Sequence, residues 1–133
     1  MGFTSGFLRE DSLSRTADGY RVLLHLPWMR SLPLSSIADL SLAFDEVPVA
    51  ADDLRFEVDG EALTLSDLAA RWRRFWPPQE RMAVEVPFPS AVAPGETVRV
   101  AATIDLLLPY ILTPVGPPRI PAAAERDLVV RGG

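Results

Sequence analysis

The chain has 133 residues, 48% hydrophobic and 23% charged, with a formal net charge of -5, 13 basic residues that are all arginine, and no cysteine. That is room for one domain that removes roughly two thirds of its extended surface from water, and the composition is far from that of disordered chains. The acidic balance argues against phosphate-backbone binding, which rests on basic residues releasing counterions; without lysine or cysteine there is no Schiff base, disulfide, thiolate nucleophile or cysteine zinc site.

The first twenty residues carry no basic-then-apolar leader, and Gly2 is followed by Gly6 where a myristoylation motif wants Ser or Thr. The apolar run Leu106 to Leu112 is interrupted by Pro109 and is far too short to span a bilayer. The expectation is a cytoplasmic protein with no membrane contact.

Period-2 alternation runs through the chain. In "YRVLLHL" Tyr20, Val22, Leu24 and Leu26 share a face; in "ADLSLAF" Leu40, Leu42 and Phe44 do; in "LRFEV" Leu54, Phe56 and Val58 alternate with charges. "RMAVEV" repeats this with Met82, Val84 and Val86, and from Thr97 the set is Val98, Val100, Ala102, Ile104, Leu106 and Leu108. Asp18-Gly19 and Asp59-Gly60 predict two-residue turns in which glycine supplies positive φ, and Pro94-Gly95 predicts a further turn, so neighbouring strands should be antiparallel.

"TLSDLAARWRRFWPP" breaks the period. Thr64 can cap, Asp67 stands at the third helical position, Leu63 and Leu68 can form a staple, and Pro77-Pro78 stops the run. The spacing predicts a short helix with Leu65, Leu68, Trp72, Phe75 and Trp76 on one face and Arg71, Arg73 and Arg74 mostly off it. From Pro109 the chain becomes a proline-rich arm to 133, with a last strand at Asp127 to Arg131. The fold class is all-β: one domain over 1–133, an antiparallel two-layer β-sandwich with one short helix.

Chemistry is sparse. His25 is the only imidazole and has no identifiable acid–base partner, so it reads as a surface or interface residue. Asp45, Glu46, Asp52 and Asp53 lack the spacing of a calcium loop and read as solvated, as do the three arginines of the helix. With no nucleophile elbow, P-loop or dinucleotide fingerprint, no catalytic or metal residue is assigned in this chain. "HLPWMRSLPLSSI" is the exception. Pro27 ends a strand by fixing φ and removing a donor, leaving Trp28, Met29 and Arg30, types enriched at interface centres, on a turn. Whether Trp28 and Met29 fold back over the core or form a contact surface is open on residue types alone.

The run from "YRVLLHLPWMRSLPLSSIADL" through "LTLSDL", "RMAVEV", a Pro-Gly turn and "LLLPYI" resembles the small β-subunit family of the bacterial C-glycoside deglycosidases, over about Phe7 to Ile111. Its most specific part is a proline, two bulky residues, an arginine and then Leu-Pro-Leu-Ser; Trp28 and Met29 stand where the family usually has two tyrosines, and Ser31 where it has glycine. The resemblance implies a hetero-oligomer with a larger alpha subunit, a xylose-isomerase-like TIM barrel carrying a divalent metal (Mn or Mg) and a catalytic histidine. The implied reaction is carbon–carbon lysis of a 3-oxo-C-glycoside. A base takes the acidic C2 hydrogen, the metal stabilises the enolate, and the aglycone leaves by elimination. This chain would then be noncatalytic and hold no cofactor, with Trp28, Met29, Arg30, Leu32, Leu34 and His25 as its partner-facing residues. The competing reading is a free-standing β-sandwich module that binds carbohydrate or protein.

Overall fold

The computed structural model describes the backbone of residues 3–4 and the whole of residues 7–111 and 113–132. Leu112 and Gly133, both within the expected arm, lie outside the described residues. In chain order the strands are β1 (Phe3–Thr4), β2 (Leu13–Arg15), β3 (Gly19–His25), β4 (Leu32–Pro33), β5 (Ile37–Phe44), β6 (Val47–Pro48), β7 (Arg55–Val58), β8 (Glu61–Leu63), β9 (Phe75–Trp76), β10 (Arg81–Pro87), β11 (Thr97–Leu107) and β12 (Arg119–Val129). One α-helical turn, α1 (Leu65–Leu68), lies between β8 and β9.

Two sheets of five strands form the layers, one ordered β1-β12-β11-β5-β6 and the other β2-β3-β10-β7-β8, with β4 and β9 as a separate ribbon. Strand β1 joins β12 in parallel and the other strand pairs are antiparallel. Every residue placed on an inward face by alternation, from Tyr20 to Leu108, is buried. The tilted rings of Tyr20, Phe44 and Phe88 link the two layers at 4.7–5.7 Å between centroids. The Tyr20 hydroxyl accepts from the Val92 amide at 2.9 Å, so the one polar atom of that cluster is satisfied.

The chain end also joins the layers. Beyond β12, the Arg131 amide donates to Leu13 O at 3.0 Å and the Arg15 amide donates to Arg131 O at 2.9 Å, so the last residues of one sheet cover the open edge of β2 in the other.

The turns separate into two physical cases. Asp59 and Gly60 both have positive φ, 49° and 84°, and Gly95 lies at 97°, as the sequence predicts. Gly19 corrects the expectation: it is absent from the positive-φ glycines, and its lack of a side chain serves close approach instead. A Cβ there would lie 2.1 Å from Val86 O and 2.5 Å from Phe88 N, both backbone atoms of the neighbouring strand and its exit. A left-handed pair that contains no glycine, Asp45 and Glu46 at φ 48° and 70°, turns β5 into β6.

The helix is shorter than the spacing predicts. Its start is as expected: Thr64 Oγ1 accepts from the Asp67 amide at 3.1 Å, and Asp67 Oδ2 accepts from the Thr64 amide at 3.0 Å. After Leu68 the chain leaves the helix, and Phe75–Trp76 forms a strand against Leu32–Pro33. Ion pairs of Arg71 with Glu61 at 3.0 Å and of Arg74 with Asp59 at 2.8 Å hold this turning segment against the β7–β8 hairpin, and Arg74 also pairs with Glu80 at 3.0 Å within the same connection. Strand β12 is longer than the expected Asp127–Arg131, because its whole length from Arg119 pairs with β11.

Two substitutions test these turns by thermal or urea melting. Gly19→Ala should destabilise by about 1–3 kcal/mol, since the clash is with backbone that must shift. Glu46→Gly should stabilise by about 0.5–1 kcal/mol by relieving a left-handed residue.

Candidate functional site

Three connections meet at the end of the sandwich where β3 and β11 finish and β5, β10 and β12 begin: residues 26–36, 69–80 and 108–118. Pro27 ends β3, and the chain turns before entering β4. The Leu34 amide then donates to Arg74 O at 2.9 Å and Leu32 pairs with Trp76, so the first connection is sewn to the second. In the third, the Leu108 amide donates to Pro118 O at 3.1 Å and the Ile111 amide to Leu108 O at 3.2 Å. These bonds anchor the backbone of each connection at the residues named.

Alternation along β9 sets which side chains reach the surface. Trp76 is 1% exposed, with its indole N–H donating to Glu80 O at 2.7 Å, and its neighbour Phe75 is consequently outside. Of the sequence's partner-facing residues, the structure leaves Met29 and Arg30 exposed and Trp28 half-buried against the core. Leu32 and Leu34 are buried within the chain, because the strand pairing of β4 and the following 3-10 turn direct them inward.

Trp28 takes the first of the two roles that its residue type left open and folds back over the core. Its ring packs on the core, and its indole nitrogen donates to the hydroxyl of Tyr110 in the third connection. The Arg30 guanidinium lies 4.8 Å from the centroid of the same tyrosine ring. Tyr110 is therefore the hub of the site and was missed by the sequence reading; the available signal was the aromatic residue after Pro109 in "LLLPYI". Trp72 was missed as a surface residue for a different reason, having been assigned to a helix stripe; it is exposed, with Arg73 4.5 Å from its ring centroid.

The distribution of exposed apolar residues decides which surface is unusual. Among the described residues, six of the eight exposed large hydrophobics belong to these connections: Met29 (74% exposed), Trp72, Phe75, Tyr110, Ile111 and Val115 (95%). Scattered single residues need no explanation, but a concentration on rigid loops at one end does.

His25, at the last position of β3, is half-buried and belongs to a more polar neighbourhood. Burial, with Arg9 and Arg81 nearby, holds its imidazole below the ordinary value of 6.5 despite the opposing charge of Asp11. No three His, Asp or Glu side chains among the described residues come together as a metal site. Asp52 and Asp53 are exposed on a 3-10 turn, and Asp45 accepts from the Arg99 amide at 2.9 Å, so the acidic residues do not fit a divalent ion. No described helix is long and apolar enough to cross a membrane.

The family model of the C-glycoside deglycosidase beta subunit matches residues 3–110, which include the β4–β9 ribbon and Tyr110. The chain belongs to the C-glycoside deglycosidase beta subunit family. It is 26% identical over 131 residues to a C-glycoside deglycosidase beta subunit of Arthrobacter globiformis, covering 98% of this chain and 99% of that one. A second beta subunit of that name, from Microbacterium trichothecenolyticum, is 32% identical over 71% of this chain and 72% of its own. The 3'-dehydrocarminate deglycosidase beta subunit of a Microbacterium species is 28% identical over 82% and 81%.

Two measurements check this beta subunit's site. Tyr110→Phe removes the acceptor of the Trp28 indole and should lower stability by about 0.5–1.5 kcal/mol in a denaturant melt. His25 binds a proton less readily folded than unfolded, so its contribution to stability is complete above about pH 6.5 and is lost as pH falls toward the depressed folded value. His25→Gln should flatten the stability profile in that window, as read from melts at successive pH values.

Proposed function

We propose that this chain is the noncatalytic small subunit of a C-glycoside deglycosidase, a carbon–carbon lyase acting on 3-oxo-C-glycosides, and that its apolar end docks on a larger subunit. The observation that carries this reading is the set of Met29, Trp72, Phe75, Tyr110 and Ile111 exposed on rigid connections in a beta-subunit family member. Tryptophan, tyrosine, methionine and arginine are the types that supply anchors in interface centres, and a stable interface needs roughly 800 Å² from each partner.

The partner we infer is a xylose-isomerase-like TIM barrel that holds the divalent metal, Mn or Mg, and the acid–base groups. Among the described residues no three His, Asp or Glu side chains come together to hold that metal, and the contribution we infer for this chain is mechanical. The fixed connections would cover and shape part of the barrel's surface. Met29 would enter an apolar recess, since its unbranched side chain fits irregular gaps. Arg30, already aligned on the Tyr110 ring, would present its guanidinium edge to carboxylate or carbonyl groups.

Co-expression with a xylose-isomerase-like barrel subunit of a C-glycoside deglycosidase tests the reading. The two chains should co-purify, and the purified small chain alone should cleave no 3-oxo-C-glycoside. Met29→Asp should weaken assembly by about 2 kcal/mol or more, roughly 30-fold, while the melting curve of the isolated chain changes by less than about 0.5 kcal/mol. A chain that never co-purifies, or binds a sugar column by itself, would instead be a free-standing module.

A further inference from the structure

A second surface differs in chemistry from the apolar end. A groove of about 670 Å³ is lined by Arg9, Arg81, Arg126, Arg131 and His25 together with two carboxylates, Glu10 and Asp11. Its walls are drawn from both sheets: Arg126 from β12, Arg131 from the crossover behind it, His25 and Arg81 from the paired ends of β3 and β10, and Arg9 from the turn before β2. Four guanidinium groups against two carboxylates leave +2 with the imidazole neutral, in a chain whose net charge is -5.

Edge protection explains only part of this. Arg126 shares the inward phase of β12 with the buried Ala122 and Leu128, and a charge there blocks the addition of a foreign strand. Its guanidinium also donates to Leu8 O at 3.0 Å, and Arg81 pairs with Asp11 at 2.9 Å. Neither role needs Arg131 and Arg9 beside the same concavity. The field is shared, since both Arg81 and Arg131 help to hold the Asp11 carboxyl below its usual range.

We propose that this groove binds a small multivalent oxyanion, a phosphate ester or a di- or tricarboxylate, through the guanidinium groups of Arg81, Arg126, Arg131 and Arg9 beside His25. Planar guanidinium forks match such oxygens in bidentate geometry. The lining carries no large apolar side chain, so a protein partner would find no anchor of the kind that the other end offers. The site is independent of the docking proposal, because it calls on none of Met29, Trp72, Phe75 or Tyr110.

His25 is the chain's only histidine and reports on the groove without ambiguity. The full chain, titrated at low salt with inorganic phosphate and separately with citrate, should show a saturable shift of the His25 ring proton resonance at millimolar concentrations or below. Bound anion should raise the imidazole's pKa against the arginines that face it and in the same direction as Glu10 and Asp11, and added NaCl should weaken the effect. Citrate binding more tightly than phosphate would identify a polycarboxylate, and the reverse order a phosphate group. Arg126→Ala should weaken the affinity by about tenfold or more, and Arg99→Ala, on the outer face of the sheet, should leave it unchanged. If the first variant does not fold, Arg81→Gln makes the same comparison. A shift that never saturates, or equal affinity in parent and variant, overturns the proposal. So does a result in which neither probe binds but Arg126→Ala weakens subunit assembly, since the groove would then serve an acidic side chain of the partner.

Discussion

The pairing of Leu32 with Trp76 in the β4–β9 ribbon sets the character of one end of the molecule. With Trp76 buried and its indole N–H satisfied by Glu80 O at 2.7 Å, strand alternation leaves Phe75 no inward position, and the chain leading to it carries Trp72 along the surface. The same pairing draws Leu32 and Leu34 into the core, so that Trp28, Met29 and Arg30 occupy the turn left between Pro27 and β4. A fold that uses its bulkiest residue to close the core thus also fixes an apolar surface outside it.

That surface is rigid in a way that suits recognition. Trp28 ties the first connection to Tyr110 in the third, and ion pairs of Arg74 with Asp59 and of Arg71 with Glu61 tie the second to the β7–β8 hairpin. Exposed ion pairs contribute little to stability individually, but here they hold a path that backbone propensity alone would make helical. A side chain presented on fixed backbone loses less entropy on binding than one on a mobile loop. The arginine-lined groove, with its polar walls, and the apolar end divide these surfaces by chemistry.

Legibility followed the strength of the local signal. β3, β5, β7, β10 and β11 were readable because each has one buried face, which forces apolar residues to alternate with polar ones. β12 was largely hidden: "RIPAAAERDLV" is alanine-rich and charged, and its length comes from pairing along all of β11 rather than from its own pattern. The segment 69–76 was misread because Leu65, Leu68, Trp72, Phe75 and Trp76 fit a helical period, while the pairing with β4 that overrides it is a contact made across more than forty residues. Gly19 was placed in a turn for the right residue and the wrong reason, since close approach to another strand cannot be seen in a dipeptide. At the site, "PWMR" marked the turn through Pro27, but the role of Tyr110 depends on a hydrogen bond spanning 82 positions.

Amide hydrogen exchange of this chain, free and assembled with its partner subunit, tests the account most directly. It predicts that residues 27–34, 72–76 and 108–118 exchange more slowly in the assembly, with the outward-facing surface of β11 and β12 unchanged. Protection confined to β11 and β12, with the three connections exchanging as they do in the free chain, would contradict it.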